Sequence, residues 1–150
     1  MIDKVEDIIL RHTTQIRVRY AETDKMGVVY NGEYLTFFEV GRTEALRGFG
    51  LPYPELEKEG YLLPVIEAFV KYKAPAFYDD ILHVTAFIST KIEATLTIKY
   101  LIEREKTTIA EGYTIHSFVH STNMKPARPP KSYRNAIESY SLQINQVMKG

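Results

Sequence analysis

The 150-residue chain contains no cysteine. That absence excludes a disulfide framework, a thiolate metal site and a cysteine nucleophile, and it permits a reducing compartment. Net charge is missing as well, since 19 lysines and arginines balance 19 aspartates and glutamates. Without a long-range positive field, the chain is not expected to bind nucleic acid or membrane surfaces. No run reaches the roughly 20 apolar residues of a membrane span. The acid-bearing start MIDKVEDIILRHTT lacks the apolar core of a signal peptide or anchor. Neither GxSxG nor GxxxxGK[ST] occurs, which removes serine elbows and phosphate-cradling glycine loops. His12, His83, His116 and His120 have no HExxH-type spacing and read as structural or surface residues. There are no internal repeats. The remaining expectation is a soluble, cytoplasmic protein with no metal and no cofactor, whose partners are small molecules or copies of itself.

What is present is a 45% apolar content, enough for one sizeable core, so residues 1–150 are expected to form a single domain. Residues 3–11 suggest one or two helical turns, and the alternation over 15–20 suggests a first strand. The strongest helical pattern covers 32–47, with Leu35, Phe38, Ala45, Leu46 and Phe49 on one face and Phe37 and Val40 flanking it. Asn31 reads as its N-cap, and Gly48 or Gly50 as its stop. Period two then dominates 65–73, 81–90, 94–105 and 108–120. The short separators predict consecutive hairpins. A proline-rich linker over 123–130 leads to an amphipathic helix over 132–148, using Ile137, Tyr140, Ile144 and Val147. One long helix followed by four strands predicts an α+β fold, a five-stranded antiparallel sheet wrapped around the helix. The remaining open face or edge predicts a second subunit as its cover.

The stretch AETDKMGVVYNGEYL, residues 21–35, holds the candidate chemistry. Asp24 precedes Asn31 by seven residues, and Gly27 between them permits a bend. Such a bend would set a carboxylate opposite the free N–H groups and positive dipole end of the helix, which can stabilise an oxyanion. A carboxylate there can attack a carbonyl or activate water, without metal or cofactor. Turn formation and capping explain the same residues, and spacing alone favours that simpler reading.

The run Tyr20-Ala21-Glu22-Thr23-Asp24-Lys25-Met26-Gly27-Val28-Val29-Tyr30-Asn31, followed by Tyr34, Glu39, Arg42, Thr43, Glu44 and Leu46, resembles the 4-hydroxybenzoyl-CoA thioesterase family. It is most similar to the short acyl-CoA thioesterases associated with the Tol-Pal system, which have the hotdog fold. The resemblance is dense over residues 16–50. It implies hydrolysis of an acyl-CoA thioester to free acid and CoA. It further implies Asp24 as nucleophile or general base, and the Asn31 backbone N–H as the donor that polarises the carbonyl. Gly27 and Tyr30 match positions that shape the turn and the pocket wall. The Tol-Pal branch commonly has histidine where this chain has Asn31; asparagine can donate a hydrogen bond but carries no proton at neutral pH. A homodimer or homotetramer is expected.

Other residues read more simply. Glu39 and Arg42, three apart on the helix, are expected to form a buried ion pair. Gly41 costs about 1 kcal/mol relative to alanine in mid-helix, which predicts close helix-to-sheet packing. Lys71 and Lys73, or Lys125, Arg128 and Lys131, could meet the phosphates of CoA, with Arg128 named as a substrate-binding candidate. Two rival functions remain at this stage. An acyl-thioester hydratase or dehydratase typically needs a pocket histidine, and none lies between His12 and His83. A non-catalytic acyl-CoA-binding module is left open by the absence of histidine at Asn31.

Overall fold

The computed structural model describes residues 9–149, with side chains described through residue 142. The first strand, β1 (Ile9–Arg17), starts six residues before the visible alternation. Its inner positions alternate Leu10, His12, Thr14 and Ile16, and the polar pair among them disguises the period. Ile9 to Arg11 are therefore strand and not helix; the rest of the expected 3–11 helix lies outside the described residues. Tyr20 does not end the strand but opens a short 3-10 turn, Tyr20–Glu22.

The long helix, α1 (Glu33–Gly48), buries Tyr34, Phe37, Phe38, Gly41, Ala45 and Leu46. Leu35 and Val40, placed by periodicity on or beside the apolar face, are exposed at 43% and 37%. Gly41 allows the expected close approach: a Cβ there would stand 2.7 Å from Val84 Cγ1, a buried β-branched side chain with little room to give. The helix ends in a paired-carbonyl stop. Gly50, at φ +88°, donates to the Arg47 carbonyl at 3.1 Å, and Leu51 donates to Leu46 at 2.8 Å. A second helix, α2 (Tyr53–Lys58), lies in a stretch to which the sequence assigns no element; Pro52 and Pro54 flank its first residue, and proline suits the first helical turn.

The remaining strands are β2 (Tyr61–Leu62), β3 (Val65–Tyr72), β4 (Ile81–Ser89), β5 (Thr95–Arg104), β6 (Thr107–Ser117) and β7 (Val119–His120). The main sheet runs β1-β4-β5-β6-β3, antiparallel throughout, and β2 pairs with β7. β4-β5-β6 are consecutive hairpins as expected, whereas β3 crosses over to pair with β6 and becomes an edge. Leu82, Val84, Ala86, Ile88, Ile98 and Ile102 face α1 from the sheet and are fully buried. This is the α+β hotdog arrangement. The expected 123–130 linker is tied down: Ala127 N–H donates to the Phe118 carbonyl at 2.8 Å, and Pro129 and Pro130 are buried. It leads into α3 (Lys131–Lys149), whose Tyr133 and Ile137 join the core. Tyr140 packs against Phe49, while the side chains of Ile144 and Val147 lie outside the described residues.

A polar chain crosses the core. Leu63 carbonyl can only accept, so His116 carries its proton on Nδ1 and donates it there at 3.1 Å. His116 Nε2 then accepts from Thr114 Oγ1 at 2.8 Å, and Thr114 accepts from the Tyr100 hydroxyl at 2.6 Å. Every link has one donor and one acceptor. His116 is wholly buried; desolvation, against the Leu63 hydrogen bond and helped by the Arg42 charge, lowers its pKa from the usual 6.5 to about 4. The unfolded chain therefore binds the proton more readily, so this stability is present above pH 6.5 and is lost as pH falls toward 4. Between pH 7 and 4.5 His116 should account for about 2–3 kcal/mol of lost stability. Urea unfolding at both pH values, for wild type and His116→Gln, checks this: the variant should show the smaller loss, and an equal loss would contradict the assignment.

Candidate active site

The stretch leading into α1 is a tight hairpin. Tyr30 N–H donates to the Glu22 carbonyl at 2.9 Å, Thr23 bridges Val29, and Asp24 N–H donates to the Val28 carbonyl at 2.8 Å. Gly27, at φ +81°, turns the chain in a conformation that favours glycine. The tip is closed by Asp24: its Oδ1 accepts from Met26 N–H at 2.8 Å and more weakly from Val28 N–H at 3.4 Å. Asp24 is exposed, and among the described residues its second oxygen has no partner. The same acid therefore builds the turn with one oxygen and offers the other to an incoming group.

Glu22, read from sequence as a turn former, is 6% exposed and structural. Its two oxygens accept from the Arg19 backbone N–H at 2.7 Å and the Arg19 Nε at 3.2 Å, fixing the 3-10 turn that starts the hairpin. Arg19 and Glu22 close the turn reciprocally, but arginine is not a capping-box residue, so no sequence motif announces the pair.

Asn31 is not the N-cap. Gly32 holds that position with helical dihedrals, and no side chain caps the helix. Asn31 lies one residue earlier, its carbonyl accepting from the Tyr72 hydroxyl at 3.0 Å. Among the described residues its own N–H donates to no acceptor. The Tyr30 carbonyl, on the other side of that peptide group, accepts from Glu33 N–H at 2.9 Å, which polarises the peptide and strengthens the Asn31 donor. Tyr30 is 54% exposed and its ring lies over Gly32, where a Cβ would come within 2.9 Å of Tyr30 Cε2.

Asn31 lines a shallow cavity of about 310 Å³ with Tyr34, Tyr72 and Pro75. Burial raises the Tyr34 phenol, so this wall stays neutral. Asp24 stands outside the cavity, at the exposed tip of the hairpin. Hairpin pairing thus brings Asp24, Gly27, Tyr30 and Asn31 into one structural unit. Arg128 is placed elsewhere, in a cavity of about 780 Å³ with Thr95 and Ser117, which pair at one end of β5 and β6. The hairpin sits by Phe77 near the opposite end, roughly 30 Å away along β5. Glu39 is exposed and forms no ion pair with half-buried Arg42 among the described residues; Arg42 faces Tyr100 instead, and Arg47 takes Glu44 at 3.4 Å. Lys73 lines the Asn31 cavity and reaches Glu111 at 3.7 Å.

Comparison with known proteins decides the family. Residues 18–137 match the model of the thioesterase-like superfamily. The chain belongs to that superfamily. The acyl-CoA thioester hydrolase YbgC of Escherichia coli O6:H1 is 34% identical over 118 residues, covering 78% of this chain and 88% of that protein. A match to YneP of Bacillus subtilis is 46% identical but spans only 54% of that protein. Among solved structures, the DHNA-CoA thioesterase of Staphylococcus aureus superposes with a TM-score of 0.80 at 34% identity, over 93% of this thioesterase-like chain and 95% of that one.

Proposed function

We propose that the protein is a cytoplasmic acyl-CoA thioesterase, hydrolysing an acyl-CoA to the free acid and CoA, with Asp24 as its catalytic carboxylate. The observation that carries this reading is the hairpin itself. It fixes a carboxylate by two backbone N–H groups and runs directly into a helix start; among the described residues one Asp24 oxygen and the Asn31 N–H have no partner. A thioester carbonyl polarised by that N–H develops its negative charge where the helix dipole favours it. Asp24 then takes the proton from an attacking water, or attacks the carbonyl carbon directly. Collapse of the tetrahedral adduct breaks the C–S bond in both routes: in the first the proton passes to the departing thiolate, and in the second water hydrolyses the mixed anhydride formed with Asp24, which frees the acid, restores the carboxylate and supplies the thiol proton. Asn31 carries no proton in either route, so the acid-base work falls to Asp24. Names of the relatives support the substrate class.

The exposed position of Asp24 and the open edge at β3 support a homodimer that completes the site. Val65, Ile66, Phe69 and Tyr72 on β3 are 42–58% exposed, on a strand whose outer backbone groups have no partner strand among the described residues. An uncovered apolar edge of this kind pairs readily with a second copy. A two-fold axis at Phe69 sets Glu67 opposite Lys71 of the partner subunit, matching opposite charges twice. Antiparallel pairing also brings the Val65 end of the partner beside the Tyr72 end of this chain. In that arrangement Arg128 of the partner subunit approaches the hairpin and can receive the phosphates of CoA, a role its own chain's geometry denies it.

Thiol release from a panel of acyl-CoAs checks the catalytic reading: Asp24→Asn should lower kcat by about 10²–10⁴ on the best substrate, and an unchanged rate would refute the role. Sizing checks the edge. Lys71→Glu should weaken the dimer and the charge swap Glu67→Lys/Lys71→Glu should restore it; a dimer indifferent to both contradicts the register.

A further inference from the structure

Segment 74–80, between β3 and β4, supplies no reacting group, yet both arms of the hairpin rest on it. On the outgoing arm, Val29 N–H donates to the Ala76 carbonyl at 2.9 Å and Val28 bridges Phe77. On the incoming side, Val18 N–H donates to the Asp80 carbonyl at 2.9 Å, and Asp79 N–H returns to the Val18 carbonyl at 3.0 Å. The segment is also held by Ala74 N–H donating to the Ile109 carbonyl at 3.1 Å, by buried Ala76, by an exposed Arg17–Asp79 pair and by one better-buried ionic clasp. Asp80 Oδ2 accepts from Phe77 N–H and from Arg104 Nη1, both at 2.8 Å. The same Nη1 donates to the Pro75 carbonyl at 3.0 Å, and the guanidinium lies 5.8 Å from the centre of the Phe77 ring. The Arg104 and Asp80 side chains are 28% and 23% exposed, against 58% and 63% for the neighbouring Arg17–Asp79 pair. Asp79 itself sits at φ 71°, a conformation non-glycine residues hold only where their surroundings enforce it.

We propose that Asp80 and Arg104 are positioning residues for the reaction. Arg104 is the last residue of β5, so the clasp ties segment 74–80 to the sheet. Through Ala76 and Phe77 it ties the Asp24 hairpin as well. This inference rests on Asp24 being the catalytic carboxylate. Without the clasp the core, the sheet and the segment's main-chain bonds keep their contacts, but Pro75 and Phe77 lose the side chains that fix them, and the floor beneath the hairpin loosens. Misplacement of a reacting group by about 1 Å is enough to cost on the order of 10² in rate.

Steady-state kinetics and thermal unfolding of Arg104→Met, Asp80→Asn, their double variant and Asp24→Asn test the proposal. Each single clasp variant should lower kcat by about tenfold or more, with KM within about threefold and a melting temperature close to wild type. The double variant should fall no further than the worse single, because both changes remove one device. Arg104→Lys keeps the charge but loses the planar fork, and should recover part of the rate. Arg47→Met, which breaks an exposed pair on α1, should turn over as wild type. The clasp is overturned if Asp24→Asn is inactive while both single variants keep full kcat, or if their losses multiply in the double. Wild-type turnover by Asp24→Asn would instead remove the catalytic reading on which the clasp depends.

Discussion

The hydrogen bond from Val29 N–H to the Ala76 carbonyl joins a hairpin with little core of its own to the packed body of the fold. The hairpin carrying Asp24 exposes Met26 at 82% and Tyr30 at 54%, and only Glu22 and Val29 among residues 21–30 are buried. Hydrophobic burial therefore holds it chiefly at Val29, Glu22 is held by its hydrogen bonds to Arg19, and the rest of its position comes from main-chain bonds. Such bonds are worth about 1 kcal/mol each when net exchange with water is counted. Several are needed at once, and the structure supplies them from Glu22, Ala76 and Asp80 together.

The scaffold beneath is stiff for a different reason. Gly41 lets α1 settle against Val84, and the sheet residues facing it are mostly branched and fully buried. A close-packed interior of this kind transmits position rather than absorbing it. Helix α1 in turn fixes where its own N-terminus lies, and the Tyr72 hydroxyl, reaching from β3, pins the peptide just before it. The donor at Asn31 is thus set by core packing and the carboxylate at Asp24 by a loop. On the proposed mechanism, alignment between the two is what the fold must secure, and the polar contacts at their junction serve it.

Sequence made the helix, the long strands and the loop chemistry readable because each has a period or a motif. Leu82 through Ile88 and Leu96 through Ile102 alternate cleanly, and Gly50 ends α1 as glycine does. What stayed hidden had no local signature. β1 carries His12 and Thr14 on its inner face, so its alternation shows only at residue 15. α2 begins between two prolines that also suit a turn. The crossover of β3 to β6 depends on the helix-wrapped sheet as a whole, and no hairpin signal could announce it. Of the proposed site, Asp24, Gly27, Tyr30 and Asn31 lie in one contiguous run that the sequence makes readable. Tyr72, Asp80 and Arg104 are not readable in this way, since they meet that run only across 41 or more positions of chain or through a second loop. The cap at Asn31 was misread for a local reason: Gly32 already takes helical dihedrals, so the asparagine lies outside the helix and offers its N–H instead of its side chain.

The most direct measurement is a crystal structure of the protein with a non-hydrolysable acyl-CoA analogue that retains the carbonyl. The account predicts the carbonyl oxygen within hydrogen-bond distance of the Asn31 nitrogen. It also predicts that the free Asp24 oxygen, or a water held by it, stands about 3–3.5 Å from the carbonyl carbon. An analogue bound with its carbonyl away from Asn31, or with Asp24 turned from it, would contradict the account.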